Sequence, residues 1–234
     1  MFTGVPRLCN LRGLKWTGVL VARRIRVIVG PTAAGKSVRV MEAATREDIA
    51  VISADSRQIY RKFDIGTAKP SPEELARVVH FGVNVMDPTE HYSAYRWARD
   101  AARWIGDAER MGKVPVIVGG TGFYIKSLFN PPYDEPPVAD LELTPDYEVV
   151  DPGPDLKRHI ETRIDQMLAA GWLLEVAGLM DTVPRDAIAW KASGYRVMRG
   201  HLEGEYSLDY ARERAIIETR QYAKRQRTWL RHQL

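Results

Sequence analysis

Polar and apolar positions alternate in blocks along this chain, and the blocks change period. Short runs of mainly β-branched residues at 26–29, 50–53 and 114–118 read as strands. Between them lie segments with helical spacing at 36–44, 72–79 and 94–111. The last of these puts Tyr95, Ala98, Ala102, Ile105 and Ala108 close to one face. Strands alternating with helices predict an α/β fold, a parallel sheet flanked by helices, with ligands outside the C-terminal strand ends. Residues 130–154 break the pattern. They hold seven prolines and the run Tyr133-Asp134-Glu135-Pro136-Pro137. This stretch reads as a linker or crossing loop, with a short strand near 147–150. Helical spacing resumes at 155–170 and 173–180. A long helix is predicted over 207–232, with Ser207 as its N-cap. The expected division is a basic extension over 1–24, an α/β core over 25–129, the Pro-rich linker, and a mostly helical part over 155–234 packed on the core.

The first strand runs into Gly30-Pro31-Thr32-Ala33-Ala34-Gly35-Lys36-Ser37, and a helix follows. This is the phosphate-loop pattern of Gly, four residues, then Gly-Lys-Ser, in the strand–loop–helix setting it requires. Glycines let backbone N–H groups close around an anion, and the helix N-terminus adds its positive dipole end. All eight residues are assigned to diphosphate or nucleotide binding. Lys36 would contact the outer phosphates, and Ser37 would help hold Mg²⁺. The core is thus a P-loop-type sheet, and the chain is expected to bind a di- or triphosphate.

Charge adds a second expectation. The net charge of +4 is mild but uneven. Residues 1–26 carry Arg7, Arg12, Lys15, Arg23, Arg24 and Arg26 without an acid, and residues 211–234 carry seven Arg or Lys against Glu213 and Glu218. Basic ends on a near-neutral body point to a polyanion surface, with solvated helix faces as the plainer reading. The start also resembles a transit peptide or an unstructured extension. The single cysteine, Cys9, excludes an internal disulfide framework and a multi-cysteine zinc site. A reducing, cytoplasmic setting fits, and no apolar run reaches the roughly 18 residues of a membrane span.

Two further strand ends carry candidate chemistry. Asp55 follows the second strand in Ser53-Ala54-Asp55-Ser56-Arg57-Gln58, and strand order would turn it toward the same crevice as Lys36. A carboxylate there can take a proton from an acceptor group or orient it. A helix N-cap is the alternative. The third strand ends Val118-Gly119-Gly120-Thr121-Gly122 without the acid that NTP-hydrolysing loops use for Mg²⁺, which argues against nucleotide hydrolysis. Its glycines allow either close approach of a ligand or simply a tight turn, and Thr121 offers a hydroxyl.

Taken together, GPTAAGKS (30–37), SADSRQIYRKFDIGTAKPS (53–71), VGGTGFYIKSL (118–128), SGYRVMRGHLEGE (193–205) and TRQYAKRQRTWLR (219–231) resemble the tRNA dimethylallyltransferase family, over most of residues 25–232. The resemblance implies transfer of a dimethylallyl group from dimethylallyl diphosphate to N6 of the adenine 3′ of the anticodon. It implies Asp55 as the base on N6–H and Arg163 as a contact of the leaving diphosphate. Thr32, Lys36 and Ser37 would hold that diphosphate and Mg²⁺. Asp55, Ser56, Arg57, Gln58 and Thr121 would lie against the tRNA anticodon stem-loop. The basic tail, with Lys224, Arg225 and Arg227, suits a phosphate backbone. Typical members carry a helical insertion that grips the stem-loop, and residues 130–154 replace most of it here. A monomer is expected.

Three alternatives stay open on sequence. One is an adenylate dimethylallyltransferase acting on free AMP, ADP or ATP, although those enzymes tend to carry an acid where Ser193 precedes Gly194-Tyr195-Arg196. Another is a small-molecule kinase with ATP on the loop. The third is an inactive RNA-binding module, against which intact Lys36, Ser37, Asp55 and Arg163 weigh.

Overall fold

A computed structural model describes residues 23–130 and 143–233. Its centre is a sheet of β1 (Arg23–Val29), β2 (Ile49–Ala54), β3 (Val79–Phe81), β4 (Val114–Gly119) and β5 (Leu143–Val149). The order is β3-β2-β4-β1-β5, and every neighbouring pair is parallel. Every residue of β2 is buried, as expected for a parallel strand covered on both faces. The helices are α1 (Lys36–Ala43), α2 (Pro72–Arg77), α3 (Ala94–Arg110), α4 (Gly122–Phe129), α5 (Leu156–Ala169), α6 (Trp172–Thr182), α7 (Tyr195–Leu202) and α8 (Leu208–Gln233). The expected α/β sheet with a mostly helical C-terminal part is therefore present.

The two sheet faces are unequal. On one, α1 covers a small core of Ile28, Val40, Ile49, Val51, Val78 and Val116. On the other, the buried stripe Trp97, Ala98, Ala101 and Ile105 of α3 joins a large core shared with α4 to α8. Trp97 Nε1 donates to the carbonyl of Ser53 at 2.9 Å, which satisfies the one polar atom of this buried indole.

Several elements differ from the sequence expectation. The helix over 72–79 stops at Arg77, because Val78 is extended and the short strand β3 follows it from Val79. The linker over 130–154 is not all linker: residues 143–149 form β5, in register with the whole of β1 from Arg23↔Leu143 to Val29↔Val149. Residues 131–142 of the expected linker lie outside the described residues. So does the basic extension up to residue 22, while Arg23 and Arg24 already belong to β1. Arg23 is held there by Glu109 of α3 at 2.6 Å. Helices α4 and α7 had no counterpart in the sequence expectation. Ser207 does cap α8, its hydroxyl accepting from the N–H of Tyr210 at 3.2 Å.

Helix α8 ties the C-terminal part to the strand ends. Gln226 accepts from the backbone N–H of Thr32 at 2.7 Å and donates to the carbonyl of Gly120 at 3.0 Å. Arg227 forms a two-pronged ion pair with Asp151 after β5 and donates to the carbonyl of Gly153 at 2.7 Å. A Cβ on Gly122 would lie 2.1 Å from the Trp229 ring of α8. Alanine normally favours a helix over glycine by up to about 1 kcal/mol. Overpacking a fitted contact costs about 1–3 kcal/mol. The clash therefore wins, and Gly122→Ala is expected to lower the urea midpoint without changing the slope of the transition.

Candidate active site

The loop after β1 builds its anion cradle by local geometry. Gly35 is left-handed at φ 94° and delivers the chain into α1. By helix geometry, the N–H groups of Lys36, Ser37 and Val38 have no partner in the preceding turn. They open, with Thr32, Ala33, Ala34 and Gly35, onto a cavity of about 320 Å³. That volume lies within the range of small-molecule sites. Gly30 and Pro31 do not line it. Their carbonyls accept from Lys36 Nζ at 3.0 and 2.8 Å and hold the ammonium in place.

Asp55, at the end of β2, lines the same cavity, and so does Arg163 of α5. The crevice expected from strand order thus forms. Asp55 Oδ1 accepts from the backbone N–H groups of Arg57 at 2.8 Å and Gln58 at 3.3 Å. This is a turn-capping role rather than a helix N-cap. It fixes the carboxylate and leaves Oδ2 without a hydrogen bond among the described residues. A second, narrow cleft of about 50 Å³ is lined by Arg57, Thr67, Ser193 and Tyr222. Thr32, Asp55 and Arg163 line both spaces and stand where they meet. A group bound on the loop and a group entering the cleft would face each other across these three side chains.

Electrostatics follow from this enclosure. Burial pushes the Lys36 ammonium down to about 8, with Asp55 raising it and Arg163 lowering it further. Burial also lowers Arg163, against the opposing pull of Asp55. Two cations are therefore held beside one carboxylate in a site that a diphosphate would neutralise. Above pH 8 the free protein loses the Lys36 charge. Binding of an anion then requires proton uptake, and affinity falls by up to about tenfold per pH unit. Pyrophosphate titrations should show this fall from pH 8 to 9.5 relative to Lys36→Arg, whose guanidinium stays charged. Parallel pH curves for the two proteins would refute it.

The remaining candidates divide. Ser56 and Thr121 are paired, Thr121 Oγ1 accepting from the Ser56 N–H at 3.1 Å and donating to the Ser56 hydroxyl at 3.4 Å. Arg57 lines the cleft, whereas Gln58 faces the loop cavity, with its amide donating to the Thr67 and Ala68 carbonyls at 3.3 and 2.9 Å. The glycines after β4 admit protein rather than ligand. A Cβ on Gly120 would lie 2.1 Å from Gln226 Nε2. Lys224 and Arg225 are exposed, but Arg227 is committed to Asp151.

Other lining residues escaped the sequence reading. His159 and Gln166 stand with Arg163 on one face of α5, and Gln226 and Tyr222 come from α8. The spacing 159, 163, 166 is a polar stripe beside the apolar stripe of Leu156, Ile160, Ile164 and Met167, a signal present in the sequence. No group of three or more His, Cys, Asp or Glu able to hold a metal occurs among the described residues. The donor set at the loop is the Ser37 hydroxyl. It suits a hydrated Mg²⁺ that arrives with substrate phosphates rather than one caged by protein.

Comparison with known proteins decides the family. The sequence model described as "IPP transferase" matches residues 58–151 and 147–233, and that described as "Isopentenyl transferase" matches residues 23–81. The chain belongs to the IPP transferase family. It is 35% identical over 266 residues to a tRNA dimethylallyltransferase of Streptococcus suis, covering 90% of both chains. It is 33% identical over 276 residues to the tRNA dimethylallyltransferase of Geobacter metallireducens, covering 89% of both. The first alignment is longer than the 234 residues of this family member, so the relative carries residues that face a gap here. The crystal structure of the Bacillus halodurans tRNA isopentenylpyrophosphate transferase superposes with a TM-score of 0.78 at 28% identity, covering 89% of this chain and 87% of that one. The Staphylococcus epidermidis tRNA delta(2)-isopentenylpyrophosphate transferase superposes with a TM-score of 0.77 at 28% identity, covering 88% and 89%. Among the described residues no helix is long and apolar enough to cross a membrane.

Proposed function

We propose that this protein transfers the dimethylallyl group of dimethylallyl diphosphate to N6 of the adenine 3′ of the anticodon in tRNA, releasing diphosphate. The observation that carries the reading is the meeting of two spaces at Asp55, Arg163 and Thr32, one built on a phosphate loop and one away from it, in a member of this family. The diphosphate would lie on the first-turn N–H groups of α1, with Lys36 and Arg163 as cations. The bond from C1 to the diphosphate oxygen breaks, and the bond from N6 to C1 forms. The N6 proton passes to Asp55, because an exocyclic amine is a poor nucleophile until its proton has a base to go to. Negative charge gathers on the departing diphosphate, where Lys36 and Arg163 stabilise it. Ser37 would hold Mg²⁺ against the diphosphate, and the ion would neutralise further charge on the leaving group.

The acceptor must enter as an extruded base, since a stacked adenine cannot reach a carboxylate at the bottom of a crevice. Arg57, Thr121 and Ser56 are at hand to receive the flanking nucleotides, with Tyr222 as an aromatic wall. Incubation with labelled dimethylallyl diphosphate and Mg²⁺, offering total tRNA or AMP, tests the reading. Label in tRNA is expected. Label in AMP alone would make the protein an adenylate dimethylallyltransferase.

A further inference from the structure

Ser37 lines two spaces of opposite character. One is the loop cavity, with Lys36 and Arg163 in its walls. The other is a smaller cavity of about 40 Å³ walled by α1, α2 and strands β2 to β4, with room for a few waters and no organic ligand. Ser37, Ser53, Gln58 and Val118 line both, so the two adjoin. No Lys or Arg lines the smaller one, and its polar walls are rich in acceptors. His80 Nδ1 stands 2.8 Å from the Val78 carbonyl, which can only accept, so Nδ1 carries the proton. Burial pushes the His80 imidazole down from its ordinary value and favours the neutral ring. Nε2 is then an acceptor, without a hydrogen bond among the described residues. Glu74 Oε2 accepts from the Ser71 N–H at 2.8 Å, and its other oxygen has no hydrogen bond among the described residues. The Gln58 amide nitrogen donates to the Thr67 and Ala68 carbonyls, which leaves its oxygen to accept from the Ser53 hydroxyl at 3.3 Å.

We propose that this cavity holds part of the water shell of a divalent cation seated at Ser37, with the His80 imidazole and the Glu74 carboxylate accepting hydrogen bonds from the cation-bound waters. The proposal rests on the reading above that Mg²⁺ reaches Ser37 with the diphosphate, and it adds the residues that grip the waters. Mg²⁺ dehydrates reluctantly and keeps several waters. A water on the ion has turned its oxygen toward the metal and can only donate, so it needs acceptors around it. Phosphate oxygens supply them on the loop side. His80 and Glu74 supply them on the other, and Glu74 adds a negative charge that favours a cation. The loop itself offers the ion little beyond the Ser37 hydroxyl, and no group of three or more His, Cys, Asp or Glu able to hold a metal occurs among the described residues. Partners that act through bound waters then carry more of the selectivity for the ion.

The test is calorimetry of pyrophosphate binding with and without Mg²⁺, for the unaltered protein, His80→Ala, Glu74→Gln and the control Glu73→Gln. Glu73 is the neighbouring exposed carboxylate of α2 and does not line the cavity. In Glu74→Gln the amide oxygen can still accept from the Ser71 N–H, so the cap of α2 stands while the free oxygen is replaced by a donor. Each protein meets the same Mg²⁺–pyrophosphate complex, so association in solution cancels from the comparison. The unaltered protein and Glu73→Gln should bind more tightly with Mg²⁺. His80→Ala and Glu74→Gln should lose roughly 10- to 100-fold in Mg²⁺, the usual range for removing a partner of this kind. Without the metal, Glu74→Gln should bind pyrophosphate as well as the unaltered protein or better, because a nearby negative charge is gone. A lesion of the fold would lower both. Equal losses with and without Mg²⁺, or a full Mg²⁺ effect in both variants, overturns the cavity alone. An unaltered protein indifferent to Mg²⁺ removes the cavity and the Mg²⁺ reading together and leaves the diphosphate reading standing.

Discussion

Asp55→Asn slows transfer by roughly 10²–10⁴-fold, the usual scale for losing a general base, while the protein keeps its fold. The amide oxygen of asparagine still accepts from the Arg57 and Gln58 N–H groups that Asp55 caps at 2.8 and 3.3 Å. The turn survives, and the basic oxygen does not. Asp55→Ala removes both, so it should match the rate loss and add a lowered melting midpoint. The pair separates chemistry from scaffolding. Single-turnover rates at saturating dimethylallyl diphosphate read the first, and thermal unfolding reads the second. Near-normal single-turnover rates in Asp55→Asn would refute the base assignment.

Lys36→Ala should weaken dimethylallyl diphosphate binding by roughly 10- to 100-fold, the equivalent of one charge-assisted hydrogen bond of about 1.5–3 kcal/mol. Pyrophosphate should compete with the prenyl donor on the unaltered protein and lose affinity in parallel on the variant, because both present the same diphosphate to the loop. The ammonium is prepositioned by the Gly30 and Pro31 carbonyls at 3.0 and 2.8 Å, so little ordering remains to be done on binding. Calorimetry checks both ligands. Tight ATP binding with no response to dimethylallyl diphosphate would instead support a kinase.

The sheet and the phosphate loop were legible because their signals are local. A loop that wraps an anion needs glycine and lysine at fixed spacing, and a covered parallel strand needs an unbroken apolar run. Asp55 was legible by a rule of topology, since parallel strand ends share a crevice. Arg163 was not legible from residues alone. A single arginine on a helix is usually solvated, and only the family resemblance placed it. Helix α4 stayed hidden because Gly-Phe-Tyr-Ile-Lys-Ser-Leu-Phe is buried nearly all round and shows little helical period. Strand β5 was legible only at its end, as the short strand expected near 147–150; its start stayed hidden behind prolines, which an edge strand tolerates and a central one does not. Arg227 looked like a phosphate contact because its partner, Asp151, lies 76 positions away. Gln226, which bridges the loop to the end of β4, carries no signal in its basic surroundings.

The central claim, prenyl transfer to a defined adenine of tRNA, is tested most directly by locating the product. After incubation with labelled dimethylallyl diphosphate and Mg²⁺, the tRNA is cut by a base-specific nuclease and the labelled fragment is sequenced by mass spectrometry. The account predicts a single dimethylallyl group on N6 of the adenine 3′ of the anticodon, absent when Asp55→Asn replaces the unaltered protein. Unlabelled tRNA beside labelled AMP, or label scattered over many adenines, would contradict it.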